Sequence, residues 1–341
     1  MKIQLDDTFK NKKILVTGGT GCIGSEIVKS ILNYKPKVVR IFSNDEDSTF
    51  KMSQEIGTSK NRRFLIGDIR DKERLITAMD GIDIVYHAAA LKHVPLCEYN
   101  PFEAIKTNVL GTQNIIDAAL ENNVKKVINI STDKAVNPVN TMGATKLLAE
   151  KLIIDANFYK GPRETIFSCV RFGNVLFSRG SVIPLFEEQI KQNKIITITD
   201  PKMTRFMMSI DNTIDLVFKA TLIAKGGEIF ILKMPVVRLG DLADVVIKEY
   251  AEKYKCKSSD IKKEIIGPRP GEKIFEELMT ELEAEKAFET KDMLIIPPQS
   301  EYGINIKTSD YKNARKSKLS GYASRDVKPL SINETKKLLF S

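Results

Sequence analysis

The stretch Lys13-Ile-Leu-Val-Thr-Gly18-Gly-Thr-Gly21-Cys-Ile-Gly24-Ser25 decides the fold. Its first five residues form a short apolar run bounded by lysine and glycine, the mark of a buried strand. Glycines follow at Gly18, Gly21 and Gly24, and a helical pattern runs from about Ser25 to Leu32. A strand, a glycine loop and a helix in that order leave free backbone N–H groups at the helix start, beside a turn tight enough for a pyrophosphate to approach. A glycine triplet alone is a weak signal; its place between strand and helix gives it weight. The dinucleotide contacts expected here come from Gly18, Thr20, Gly21, Cys22, Ile23 and Gly24.

Outward from that loop, β-branched apolar runs at 38–42, 63–66, 83–86, 126–130 and 165–170 alternate with helical stretches near 72–79, 101–121 and 143–156. Such alternation predicts an α/β protein, a Rossmann-type doubly wound parallel sheet with helices on both faces. After Asn174 the rhythm loosens. Helices are expected near 184–192, 211–224 and 241–254, with strands at 195–199 and 228–232. We expect a dinucleotide-binding domain over 1–174 and a smaller C-terminal substrate-binding lobe over 175–311, interleaved with the sheet or packed on its carboxyl edge. A polar, basic extension over 312–341 would end in a short helix near 333–340.

The chain has 341 residues, 42% of them apolar, which excludes disordered and fibrous classes. Its charge of +9 comes from 53 basic and 44 acidic groups interleaved along the whole length, so no nucleic-acid partner is expected. No apolar run approaches the roughly 18–20 residues of a membrane span. Residues 1–13 carry alternating charges where a secretion signal needs an apolar run, so a cytoplasmic protein without a membrane partner is expected. Cys22, Cys97, Cys169 and Cys256 show no paired spacing, which predicts neither disulfides nor a metal site.

The tip of the second strand, Phe42-Ser43-Asn44-Asp45-Glu46, offers a hydroxyl, an amide and acids but no base, leaving NAD and NADP both open. Asp68 after the third strand can hold the adenine, and Ala88, Ala89 and Ala90 after the fourth let a nicotinamide pass close to the backbone. His87 reads more simply as a satisfied histidine at a strand end. At the end of the fifth strand stands Ser131-Thr132-Asp133-Lys134, followed by Met142-Gly-Ala-Thr-Lys146 at a helix start. An acid and an amine side by side in the ligand crevice suit paired proton transfer, the lesser alternative being a surface ion pair.

With the glycine loop and with Lys146 four residues after Met142, the chain resembles the extended short-chain dehydrogenase/reductases. Within them, Ala88-Ala-Ala-Leu-Lys-His-Val-Pro95, Lys106-Thr-Asn-Val-Leu-Gly-Thr112, Ser131-Thr-Asp-Lys-Ala135, Arg171-Phe-Gly-Asn-Val175, Ser178-Arg-Gly-Ser-Val-Ile-Pro-Leu-Phe186 and Thr199-Asp-Pro-Lys-Met-Thr-Arg-Phe206 resemble the polysaccharide-biosynthesis UDP-N-acetylglucosamine 4,6-dehydratases. The resemblance implies a tightly bound, recycled NADP or NAD and UDP-N-acetylglucosamine as substrate. Carbon 4 would be oxidised transiently, water lost across carbons 5 and 6, and the same reducing equivalent returned to carbon 6, for surface glycan synthesis.

In that scheme Thr132 binds the 4-hydroxyl, Asp133 protonates the departing 6-hydroxyl, and Lys134 takes the carbon-5 proton, with inversion there expected. An amine base must be neutral, so burial and cationic neighbours such as Lys146 are expected to lower the Lys134 pKa. The resemblance sets Ser43, Asn44, Asp45, Asp68, Ile69, Lys92, Asn108, Met142 and Lys146 against the cofactor. It sets Lys92, His93, Met142, Asn174, Ser181, Val182, Arg205, Arg269 and Glu272 against the substrate. Met142 departs from the usual tyrosine and has no proton to exchange, so Thr132 with a water, Asp133 or Lys134 must serve the oxidation. The alternatives are a UDP-sugar 4-epimerase, which needs no carbon-5 base, and a non-catalytic nicotinamide-binding protein. Pairing through helices near 101–121 and 143–156 into a homo-oligomer is also implied.

Overall fold

The computed structural model describes residues 2–178, 180–298 and 306–340. The first half alternates strand and helix: β1 (Lys13–Thr17), β2 (Val38–Ser43), β3 (Arg62–Ile66), β4 (Ile84–His87), β5 (Lys126–Ile130) and β6 (Ile166–Arg171). The second half adds β7 (Asn174–Val175), β8 (Ile195–Ile198), β9 (Thr204–Met208), β10 (Ile229–Leu232), β11 (Val236–Arg238) and β12 (Lys262–Ile265). The last strands are β13 (Glu277–Met279), β14 (Phe288–Glu289), β15 (Met293–Ile296), β16 (Arg315–Lys316) and β17 (Tyr322–Ala323).

A ten-stranded sheet in the order β16-β14-β15-β10-β6-β5-β4-β1-β2-β3 forms the backbone of the molecule. It is parallel from β10 to β3, and its far edge is closed by antiparallel pairing of β15, β14 and β16. Helices cover both faces, which is why Ile14, Leu15 and Val16 are all buried although they point alternately up and down. From β1 the chain moves outward through β2 and β3, then returns to β4 on the other side of β1. That reversal opens a crevice at the carboxyl ends of β1 and β4, where such sheets bind ligands.

The second half is interleaved with this sheet, giving it β10, β14, β15 and β16. Its remaining strands form the small sheets β11-β9-β7, β12-β8 and β13-β17, and a separate apolar cluster holds Ile183, Phe186, Leu242, Val246 and Leu339. Several elements are not legible in the sequence. Helix Lys2–Phe9 precedes β1, and its Phe9 packs against Tyr34 and Phe218. Helix Glu46–Ile56 follows β2, capped by Asp45. The stretch expected as one helix over 101–121 is helical at Pro101–Ala104, a π-turn at Ile105–Leu110, and α-helical again at Gly111–Glu121.

Candidate active site

The crevice has a volume of about 670 Å³ and joins a glycine-rich end to a charged end. At the glycine-rich end, Gly18 has φ +62, and a Cβ there would lie 2.7 Å from the Ala89 nitrogen. A Cβ at Gly24 would collide with the Gly18 carbonyl oxygen. These glycines let the loop, the Ala88–Ala90 segment and the helix Cys22–Leu32 converge on one point. Gly21 caps that helix without a side-chain bond, so the first N–H groups of the helix remain available to an anion. Thr20, Cys22 and Ile23 line the same end, and Thr20 Oγ1 hydrogen-bonds Ser43 Oγ at 2.8 Å.

Ser43, Asn44, Asp45, Asp68 and Ile69 line the wall beyond β2 and β3. Asp45 accepts bonds from the Ser48 N–H (2.9 Å) and Ser48 hydroxyl (2.6 Å), so an acid set against the cofactor is also a helix cap. Asp68 is gripped by Arg70, through Nε at 3.0 Å and Nη2 at 2.7 Å. Burial works against the ionised form, yet Arg70 and the Asn44 amide hold the Asp68 carboxyl below its ordinary value.

Ala88, Ala89 and Ala90 face the crevice, while Asn108 stands behind them in the π-turn. Its Oδ1 accepts from Leu91 N at 2.8 Å, and its Nδ2 donates to Leu91 O and Thr145 Oγ1, both at 3.0 Å. Asn108 therefore holds the segment in place without lining the crevice. His87 is buried between Thr17 Oγ1 at 2.8 Å and Thr112 Oγ1 at 3.1 Å. Burial, helped by the charge of Lys146, pushes its imidazole down to about 3, so it is a neutral structural histidine.

At the charged end, Ser131, Thr132 and Lys134 line the crevice just past β5. Thr132 Oγ1 and Lys134 Nζ both donate to Asp133 Oδ1, each at 2.9 Å. On its other side Lys134 Nζ stands 3.6 Å from Glu276 Oε1. Burial favours the neutral amine, but Asp133 and Glu276 outweigh it and hold the Lys134 ammonium above its ordinary value. This corrects the expectation of a lowered Lys134. Among the lysines that line the crevice it is Lys146 that is lowered: burial prevails there and Nζ donates to the Ile130 carbonyl at 2.7 Å. Met142 also lines the crevice and is buried.

Lys92, His93, Asn174 and Ser181 line the crevice as well. Asn174 Oδ1, Ser181 Oγ and Ser131 Oγ are buried with no hydrogen-bond partner among the described residues, the condition of groups that wait for a ligand. Val182, Arg205, Arg269 and Glu272 lie outside the lining. Arg205 is buried and donates to the carbonyls of Thr204, Lys273 and Ile274 at 2.9, 2.8 and 3.2 Å. Arg269 is exposed, and its backbone N–H donates to Glu272 at 3.2 Å. The sequence reading missed Glu276, which is buried behind Lys134. Nothing local distinguishes it from Glu277 beside it.

The glycine cradle, the open helix start and the small Ala88–Ala90 wall fit a nicotinamide dinucleotide. Among the described residues, no group of three or more His, Cys, Asp or Glu is arranged to hold a metal ion, and no helix is long and apolar enough to cross a membrane.

Comparisons with known proteins agree with this geometry. The polysaccharide biosynthesis protein family model matches residues 14–298. An uncharacterized membrane protein of Methanocaldococcus jannaschii is 55% identical over 335 residues, 98% of this chain and 97% of that protein. A UDP-N-acetylglucosamine 4,6-dehydratase (inverting) of Campylobacter jejuni is 45% identical over 306 residues, 87% of this chain and 88% of its own length. A UDP-glucose 4-epimerase of Rickettsia conorii is 42% identical over 340 residues, 98% of this chain and 96% of its own. The crystal structure of Pen from Bacillus thuringiensis, 50% identical, superposes with a TM-score of 0.90 over 97% of both chains. The sheet, the glycine-loop crevice and a family match that spans most of the sequence lead to one conclusion: the chain belongs to the polysaccharide biosynthesis protein family, built on the extended short-chain dehydrogenase/reductase fold.

Proposed function

We propose that this protein is a UDP-N-acetylglucosamine 4,6-dehydratase that inverts carbon 5. The observation that carries the reading is the 2.9 Å hydrogen bond between Lys134 Nζ and Asp133 Oδ1 at the charged end of the crevice. It joins an amine that lines the crevice to an acid buried directly beside it, a pairing that a water elimination needs and a simple oxidation does not. A bound nicotinamide supplies the transient oxidation at carbon 4 and its reversal at carbon 6.

The residues do the proton work. Thr132, bonded to Asp133, orients toward the 4-hydroxyl. Asp133 delivers a proton to the departing 6-hydroxyl, and Lys134 removes the proton from carbon 5. In the resting arrangement the shared proton sits on Lys134, so the productive state is reached by moving it along that hydrogen bond to Asp133. Asn174, Ser181 and Lys92 are assigned to the UDP-sugar, with the unpartnered Asn174 and Ser181 oxygens supporting the first two.

Incubation with UDP-N-acetylglucosamine in deuterated water, followed by NMR, tests the reading. A 4-keto-6-deoxy product carrying deuterium at an inverted carbon 5 is expected; a ketone without deuterium removes Lys134 from the mechanism. The second reading, a UDP-sugar 4-epimerase, is favoured by the 42% identity to the rickettsial enzyme. Lys134→Ala would spare epimerisation and abolish dehydration.

The exposed side chains Leu96, Tyr99, Phe102 and Leu148 lie on helices that pack together. They support pairing of two copies through this face. Four free cysteines, a nicotinamide cofactor and a UDP-sugar together support a cytoplasmic setting.

A further inference from the structure

Lys134 is held by two carboxylates, and only one belongs to its own turn. Asp133 Oδ1 lies 2.9 Å from Nζ, and Glu276 Oε1 lies 3.6 Å from it, brought in from the second lobe. Strand pairing fixes where Glu276 stands. Its N–H donates to Ser324 Oγ at 3.0 Å, and its carbonyl accepts from Ser324 N at 2.8 Å. Arg205 Nε lies 3.8 Å from the same Glu276 oxygen. The second oxygen, Oε2, is buried with no partner among the described residues, as is Asp133 Oδ2. Two buried carboxylates thus share one ammonium, and each keeps an idle oxygen.

We propose that Glu276 is a positioning residue that decides whether the proton shared by Asp133 and Lys134 sits on the amine or on the acid. This deepens the dehydratase reading and rests on it. An anionic Glu276 at 3.6 Å favours the ammonium and keeps the proton on Lys134, where neither residue can do its work. A neutral Glu276 removes that bias. The proton then passes from Lys134 Nζ to Asp133 Oδ1 along their hydrogen bond, leaving a free amine and a protonated acid. No electrons move, and the proton count of the pair is unchanged.

The charged groups facing Glu276 are Asp133 and Lys134 from the turn after β5, Arg205 from β9, and Lys273 from its own loop. Burial first, and Asp133 next among the groups that act in the same direction, raise the Glu276 carboxyl above its ordinary value against Lys134, Arg205 and Lys273. Glu276 is therefore able to hold a proton at a pH where an ordinary carboxylate has lost it.

The test compares pH profiles of dehydration by wild type and Glu276→Gln, the glutamine standing for the neutral acid. Wild-type turnover should fall as pH rises through the Glu276 ionisation, by up to about tenfold per pH unit, while the E276Q profile stays flat over that limb. Parallel profiles at a constant ratio would overturn the proposal. A second readout needs neither turnover nor cofactor. In the ¹³C-glutamate-labelled chain, one carboxyl signal should titrate above the ordinary glutamate range and move down in Asp133→Asn, which removes the like charge. If no carboxyl titrates there, or D133N leaves it in place, Glu276 has no such role. Failure of wild type to make any ketone from UDP-N-acetylglucosamine would sink the dehydratase reading instead, and the carboxyl titration separates the two results.

Discussion

Two ion networks lie along the seam between the main sheet and the segment 276–283, and they are built to opposite specifications. Arg171, at the end of β6, donates to both oxygens of Glu150 at 3.0 and 2.6 Å, to both oxygens of Glu283 at 3.1 Å, and to the Leu278 carbonyl at 2.8 Å. It is 1% exposed, and every carboxylate oxygen in its network is matched. In the other network, Asp133, Lys134, Glu276 and Arg205, each carboxylate keeps one buried oxygen without a partner among the described residues, and the Lys134 side chain remains 28% exposed to the crevice. A fully matched buried network fixes geometry; a partly matched one leaves a charge free to respond to a ligand. The first network acts as scaffold so that the second keeps its 2.9 and 3.6 Å separations.

The contrast breaks most sharply at Lys134. Lys134→Ala should cut dehydration by about 10²–10⁴-fold, the usual worth of a positioned acid–base group, while UDP binding holds. Arg171→Met should do the reverse. It strands Glu150 and Glu283 as buried charges, so stability in a denaturant titration should drop by about 3–5 kcal/mol. If R171M folds normally and only activity suffers, the division between scaffold and site is wrong. At the glycine-rich end, Gly24→Ala should weaken nicotinamide binding at least about tenfold, some 1.4 kcal/mol, in a calorimetric titration. The added Cβ meets the Gly18 carbonyl, which is backbone and cannot swing aside.

The two ends of the crevice also differ in how readable they are. The glycine-rich end is local: Gly18 to Gly24 sit within one strand, loop and helix, so spacing alone carries it. Thr132, Asp133 and Lys134 are legible for the same reason, being consecutive at a strand end. The charge state of Lys134 is not legible, because Glu276 comes from a distant segment of the chain and looks like any acid beside Glu277. Arg205 shows the same limit. The resemblance sets it against the substrate, but its guanidinium donates to three backbone carbonyls. β14 and β16, at the antiparallel end of the sheet, are two residues long and leave no periodic trace. Helix Glu46–Ile56 is hidden because Asp45 and Glu46 read as acids at a strand tip, whereas Asp45 caps that helix.

The smallest expected effect is also the one that separates the networks by sign. Glu276 and Glu283 lie on one short segment, and both are substantially buried, yet their carboxyls move in opposite directions. Burial opposes ionisation at both. At Glu283, Arg171 and the Thr280 cap outweigh it and hold the carboxyl below its ordinary value. At Glu276, burial and Asp133 prevail and raise it. A lowered carboxyl contributes stability that is present above its unfolded pKa and is lost as pH falls through the folded one. A raised carboxyl contributes stability that is present below its unfolded pKa and is lost as pH rises through the folded one. Every tenfold difference in proton affinity between the folded and unfolded chain is worth about 1.4 kcal/mol. Compared with wild type across a pH series of chemical denaturation, Glu283→Gln should therefore cost stability at neutral pH and lose that deficit on acidification. Glu276→Gln should match wild type on the acid side and become the more stable of the two as pH rises. Two curves of the same sign would mean that both carboxylates serve the scaffold and that the crevice holds no poised proton.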